Sequence, residues 1–221
     1  MSKNFRQYAL LVALVFMLVG VVLAAEAPDS TNSTAVTAAV PASPEDPIKM
    51  LSNVTNSVIK ALQERKPKDV NEAYSLVDKL ILPYVDFDEM SLWVAGRKAW
   101  GKASDRTKED FKEAFKVLVV RTYATALNNY TNEKVEFGPQ NLNLTKERIQ
   151  VSSTMVRNRK DNIRLDYRLI KHDNKWFVYD VIIEGVSILQ GFQAQFSSDI
   201  RQQGLEKVTQ QIQKHNREKN A

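Results

Sequence analysis

Residues 176–200, WFVYDVIIEGVSILQGFQAQFSSDI, constrain the fold more than any other stretch. They read as an apolar strand that turns through Glu184-Gly185 into an amphipathic helix. Strict alternation puts Trp176, Val178 and Ile182 on one face of the strand, and Phe177, Tyr179, Val181 and Ile183 on the other. A strand apolar on both faces is covered on both, or has a cavity against one of them. Ile188, Phe192, Phe196 and Ile200 recur every fourth residue of the helix, so one long apolar stripe folds back over the sheet. That pair of elements closes a core or encloses an apolar ligand.

The first residues read as a targeting signal. Lys3 and Arg6 precede an apolar run over residues 9–23, and Ala24-Ala25 supply small residues for a signal peptidase. The run is shorter than the roughly 20 apolar residues of a spanning helix. A cleaved signal over 1–25 is therefore expected, then a flexible linker over 26–45 whose Ala, Ser, Thr, Asn and Pro offer little to bury. A single domain over 46–214 and a basic tail over 215–221 follow. The chain has no cysteine. Export without disulfides suits a bacterial periplasm and leaves stability to the core alone. The net charge of +5 includes Lys3 and Arg6. So mild an excess, without clustered basic residues among exposed aromatics, argues against nucleic acid. Arg157, Arg159, Arg164 and Arg168 concentrate around one hairpin, either as a solvated sheet face or as a docking patch for an acidic partner or lipid headgroups.

Period and punctuation divide the chain into helices first and strands after. Asp46-Pro47 starts a helix that Pro67 stops. Asp69 with Glu72 marks a second, ending near Leu82 before Pro83, and Asp86 with Glu89 a third, closing near Gly96. A long helix runs from about Asp105 to Tyr130. Short strands follow: residues 135–137, then an alternating strand carrying Ile149, Val151 and Met155. A third strand carries Leu165 and Tyr167 after a turn at Asp161-Asn162. The turn at residues 172–174 leads into the strand at 176. The expected class is α+β, a helical N-terminal half laid on one face of a curved four-stranded antiparallel sheet, with long C-terminal helices.

Catalytic chemistry is scarce. His172 and His215 lack metal-ligand spacing, and no phosphate loop or nucleophile elbow occurs. Capping accounts for Asp86 and Glu89. Asp180, which interrupts the apolar strand, reads either as a buried base or as a carboxylate hydrogen-bonded to backbone or a nearby Arg. An enzyme on this fold would use Asp180 or Asp88 as base with Tyr167 or Tyr179 as acid. An adaptor would dock through the arginine hairpin. A binding protein would use the apolar surplus.

Three separated motifs carry a resemblance: ILPYVDFDEMS (81–91), FKEAFKVLVVRTYATAL (111–127) and WFVYDVIIEGVSILQGFQAQF (176–196). In this order they closely resemble the MlaC/toluene-tolerance family of periplasmic phospholipid-binding components of the Mla ABC transport system in Gram-negative bacteria. The resemblance covers about 47–212. It implies a fold related to the nuclear-transport-factor-like and cystatin-like sheets, and no enzymatic step or cofactor. The phospholipid is cargo, and the carrier is monomeric. It would be passed between an outer-membrane lipoprotein complex and an inner-membrane MCE-domain protein, maintaining outer-membrane lipid asymmetry. Gln193 stands where the resemblance leads us to expect a basic residue. Two chains of about 15 methylenes, at roughly 0.8 kcal/mol each, would cost on the order of 20 kcal/mol to expose. The pocket should then lie near the large end of the range of about 300–1,000 Å³. Expected lining residues on the helices are Phe87, Phe115, Leu118, Val119, Tyr123, Ile188, Phe192 and Phe196. On the sheet they are Ile149, Val151, Met155, Leu165, Tyr167, Val178 and Ile182. The helix opened by Gly185-Val186-Ser187 has free N–H groups that could meet a phosphate.

Overall fold

The computed structural model describes residues 45–127, 134–157 and 161–218. The expected signal and most of the linker lie outside them, as does Arg159. Side-chain carboxylates set the helix starts. Asp46 accepts from the Ile48 and Lys49 amides at 2.9 and 3.2 Å and opens α1 (Pro47–Glu64). Asp69 does the same for Asn71 and Glu72 and opens α2 (Val70–Leu80). The second helix stops short of Leu82, because Pro83 belongs to a separate 3-10 turn, Leu82–Tyr84. Asp86 caps α3 (Phe87–Ala95) through the Glu89 amide at 2.8 Å. A short α4 (Arg97–Lys102), which apolar periodicity does not announce, links it to the long α5 (Asp105–Leu127).

Five antiparallel strands then form a meander in chain order: β1 (Lys134–Glu136), β2 (Arg148–Val156), β3 (Ile163–His172), β4 (Lys175–Ile183) and β5 (Val186–Ser187). The strand beyond the expected four is β5. Its two residues pair with Ile182 and Ile183 after a tight turn in which Glu184 and Gly185 both have positive φ. Helix α6 (Ile188–Gln203) follows directly, and α7 (Leu205–Glu218) begins past Gly204, whose φ of 84° ends α6.

The faces of β4 differ from the alternating reading. Leu169 pairs with Val178, but Arg168 pairs with Asp180, so Tyr179 is the extra residue of a β-bulge. The slip reverses the side chains beyond it. Trp176, Val178, Val181 and Ile183 therefore share a face with Leu165, Tyr167 and Leu169, and Ile182 lies opposite with Asp180. On the first face, Met50 and Leu51 of α1 bury Val151, Leu169 and Trp176 in a small cluster. On the second, Arg148 donates to Glu89 of α3 at 2.8 Å and lies 5.2 Å above the Tyr179 ring. Helices thus reach both faces of β4 rather than one. The main core joins α1, α2, α3, α5, α6 and α7 to the Met155, Leu165 and Ile183 end of the sheet.

Candidate functional site

The outer edge of β4 is only partly covered. Near its start, Val85 forms an isolated parallel bridge with Val178, and near its end β5 takes Ile182 and Ile183. Between them, Tyr179, Asp180 and Val181 have no strand neighbour on that side, and an almost wholly apolar cavity backs onto this gap. Val77 of α2, Ile81, Leu82 and Val85 in and around the 3-10 turn, and Phe87 and Met90 of α3 form one wall. Val119, Val120 and Tyr123 of α5, with Ile188 of α6, form the other. The amphipathic faces of α2 and α5 meet here because each must bury its stripe against the other and the sheet edge.

The cavity is small, ≈ 70 Å³, where a pocket near the large end of the ordinary ligand range was expected. That space holds about two waters at liquid density. Acyl chains can enter only if the walls part. The walls are apolar side chains, whose attraction is non-directional and roughly proportional to area. An alkyl chain can replace it.

Of the expected lining residues, Phe87, Val119, Tyr123, Val178 and Ile188 come together around the cavity. Phe115, Leu118, Phe192 and Phe196 instead belong to the packed core between α5 and α6. There Phe115 meets Phe192 edge-on at 5.1 Å, and Phe192 stacks on Phe196 at 6.3 Å. Met155 and Leu165 are fully buried in the same core. Ile149 and Val151 face α1 in the smaller cluster, and Tyr167 packs against both. Ile182 is buried opposite Asp166 and Ser187, on the face away from Leu165. Val77, Ile81, Leu82, Val85, Met90, Val120, Tyr179, Asp180 and Val181 were not anticipated. Their signal was the strand apolar on both faces, which meant an edge or cavity needing cover, together with the 81–91 motif.

Asp180 is the polar residue of the lining. Its side chain is enclosed, and it accepts from the Ser187 hydroxyl at 2.7 Å, the Leu189 amide at 3.1 Å and Arg168 at 3.2 Å. Burial raises its pKa, while Ser187, Leu189, Arg168 and the Val181 amide pull the other way. Ser187 in turn caps α6 through the Gln190 amide at 3.1 Å. Two of the N–H groups expected to be open to a phosphate, those of Leu189 and Gln190, are thus engaged by the protein's own carboxylate and hydroxyl. Burial, reinforced by the Asp180 charge, raises the pKa of Tyr123.

The pair Asp180 and Tyr167 is not assembled. Tyr167 pairs with Val181 and its neighbour Arg168 with Asp180, which sets Tyr167 and Asp180 on opposite faces of the sheet. Asp88 forms an exposed ion pair with Lys112 at 3.1 Å, and His172 holds Asp86 at 2.8 Å. Among the described residues no group of three or more His, Asp or Glu is placed to hold a metal. Of the arginine hairpin, Arg157 donates to the Asp161 carbonyl, Arg164 meets Asp166 at 3.2 Å, and Arg168 reaches Asp180. Gln193 donates to the Trp93 carbonyl at 2.9 Å, tying α6 to α3.

A family-wide sequence profile described as MlaC protein matches residues 51–214. The toluene tolerance protein ttg2D of Pseudomonas putida is 27% identical over 146 residues, 66% of this chain and 67% of that protein. The intermembrane phospholipid transport system binding protein MlaC of Haemophilus influenzae is 27% identical over 164 residues, 71% of this chain and 74% of its own. In structure, the chain is similar to a phospholipid-binding protein from Ralstonia solanacearum solved in complex with a phospholipid. The TM-score is 0.71 at 26% identity, over 80% of this chain and 98% of that one. The profile spans all the described helices and strands except the two ends, and the chain belongs to the MlaC family.

Proposed function

We propose that this chain is a non-enzymatic phospholipid carrier of the periplasm, and that the acyl tails occupy the space between the β4 edge and helices α2, α3, α5 and α6. The observation that carries the reading is the almost wholly apolar cavity walled by six separate elements. The relatives named for phospholipid transport and the neighbour solved with a phospholipid support it. Burying tails that would cost on the order of 20 kcal/mol to expose is the work a soluble carrier must do, and no bond need be made or broken. The headgroup stays at the surface. We further propose that residues 1–25 direct export and 26–45 form a spacer. No helix among the described residues is long and apolar enough to cross a membrane. Delivery would run between an outer-membrane lipoprotein complex and an inner-membrane MCE-domain protein, maintaining lipid asymmetry.

Organic extraction of the purified mature protein followed by lipid mass spectrometry tests the binding step. A stoichiometric phospholipid is expected. Protein that carries none, and takes none from phosphatidylethanolamine vesicles, contradicts the reading.

A further inference from the structure

Residues 81–87 separate two spaces. On the inner side lies the ≈ 70 Å³ cavity, and on the outer side a surface groove of ≈ 730 Å³ that reaches His172, Phe177 and Trp100. Val85 and Phe87 line both, so they form a partition one side chain thick. Few bonds hold this partition to the sheet. The Asp86 amide donates to the Val178 carbonyl at 2.9 Å, and Asp86 Oδ2 meets His172 Nε2 at 2.8 Å. The Tyr84 and Val85 amides are spent inside the segment, on the carbonyls of Ile81 and Leu82, and Pro83 has none to offer. Helix α2 stops just before the segment, and α3 starts at its end. Rotation at those two helix ends would move it without unwinding either helix, as hinge segments do.

We propose that residues 81–87 are the gate for the acyl tails, swinging away from β4 between Val85 and Val178. Parting this bridge joins cavity and groove into one space within the range of about 300–1,000 Å³ that encloses ligands. It also opens the stretch of β4 edge, Tyr179 to Val181, that lies between Val85 and β5. The inference rests on the phospholipid reading.

The absence of cysteine allows a clean test. Val85 and Val178 are bridge partners, so V85C/V178C places two thiols opposite each other on paired backbone, within reach of a disulfide. Uptake of fluorescently labelled phosphatidylethanolamine from phosphatidylethanolamine/phosphatidylglycerol vesicles is followed for the oxidised and the reduced protein. The oxidised form is expected to take up and release lipid at least about tenfold more slowly, as closed lids do, and reduction to restore the rate. Equal rates in the two forms overturn the gate while leaving lipid binding intact. Failure of the unsubstituted protein to take up lipid overturns the phospholipid reading and the gate with it. His172→Ala, which loosens the tie to Asp86 and removes a ring contact with Phe177, is expected to release lipid a few-fold faster. An unchanged release rate in that variant also overturns the gate.

Discussion

Asp180 puts a carboxylate on a strand that is otherwise apolar and leaves it 1% exposed. Its partners explain why the position is tolerated. One carboxylate takes the Ser187 hydroxyl and the Leu189 amide, and so fastens the end of β4 to the first turn of α6. Arg168 balances its charge at 3.2 Å, and Tyr123 is the other titratable group that feels it. Burial outweighs these contacts and raises the carboxyl pKa, so the native state holds the proton at pH values where the unfolded chain has released it. Stability then falls as pH rises through the window from the ordinary carboxylate value to the raised native one. Urea unfolding of the wild type and Asp180→Asn at stepped pH isolates this group from the other carboxylates. The wild type should lose stability relative to the variant across that window, by at most about 1.4 kcal/mol per pH unit. A relative gain would mean that Ser187, Leu189 and Arg168 outweigh burial. The sequence showed Asp180 as an anomaly. Its partners could not be read, because the 184–185 turn and the bulge decide which side chains meet it.

Elements with local signals were legible and those set by tertiary packing were not. Asp46, Asp69 and Asp86 announce three helix starts because a cap is made with amides two or three residues away. The hairpin at 172–174 is similarly local, with Asp173 and Asn174 both at positive φ. By contrast, the bulge at Tyr179 has no signature in residue type, and it reversed the predicted faces of Val181, Ile182 and Ile183. The aromatic stripe of α6 was legible as a stripe, but whether it faced a ligand or α5 depended on what packed opposite. It faces α5. Phe192 is 2% exposed between Phe115 and Phe196, with Tyr123 edge-on at 6.4 Å. Phe192→Ala should therefore behave as a core truncation and cost about 3–5 kcal/mol in urea denaturation. A cost under about 1 kcal/mol would place Phe192 in a cavity that can collapse rather than in packed core.

At the scale of the whole molecule, a meander whose β4 edge is incompletely paired is closed along that edge by helices instead of by another strand. The MlaC-family fold could be anticipated from three motifs, but the site only in part. The residues expected to line a pocket were chosen for hydrophobicity and spacing, which core and cavity share. What separates them is the β4 edge, where Val85 and β5 leave a gap. A carrier with so small a resting cavity must enlarge it to load. The cavity-facing side chains should then govern lipid uptake, even where, like Val77, Met90 and Tyr123, they also belong to the core.

Val119 lines the cavity without being fully buried in the core, which makes it the place to separate the two roles. Native mass spectrometry of the mature protein and its Val119→Trp variant, after incubation with phosphatidylethanolamine vesicles, compares them directly. The account predicts a bound phospholipid on the wild type and at least about tenfold less on the variant, a loss equivalent to about 1.4 kcal/mol, with matching circular dichroism spectra. Equal loading of the two proteins, or a wild type that carries no phospholipid, would contradict it.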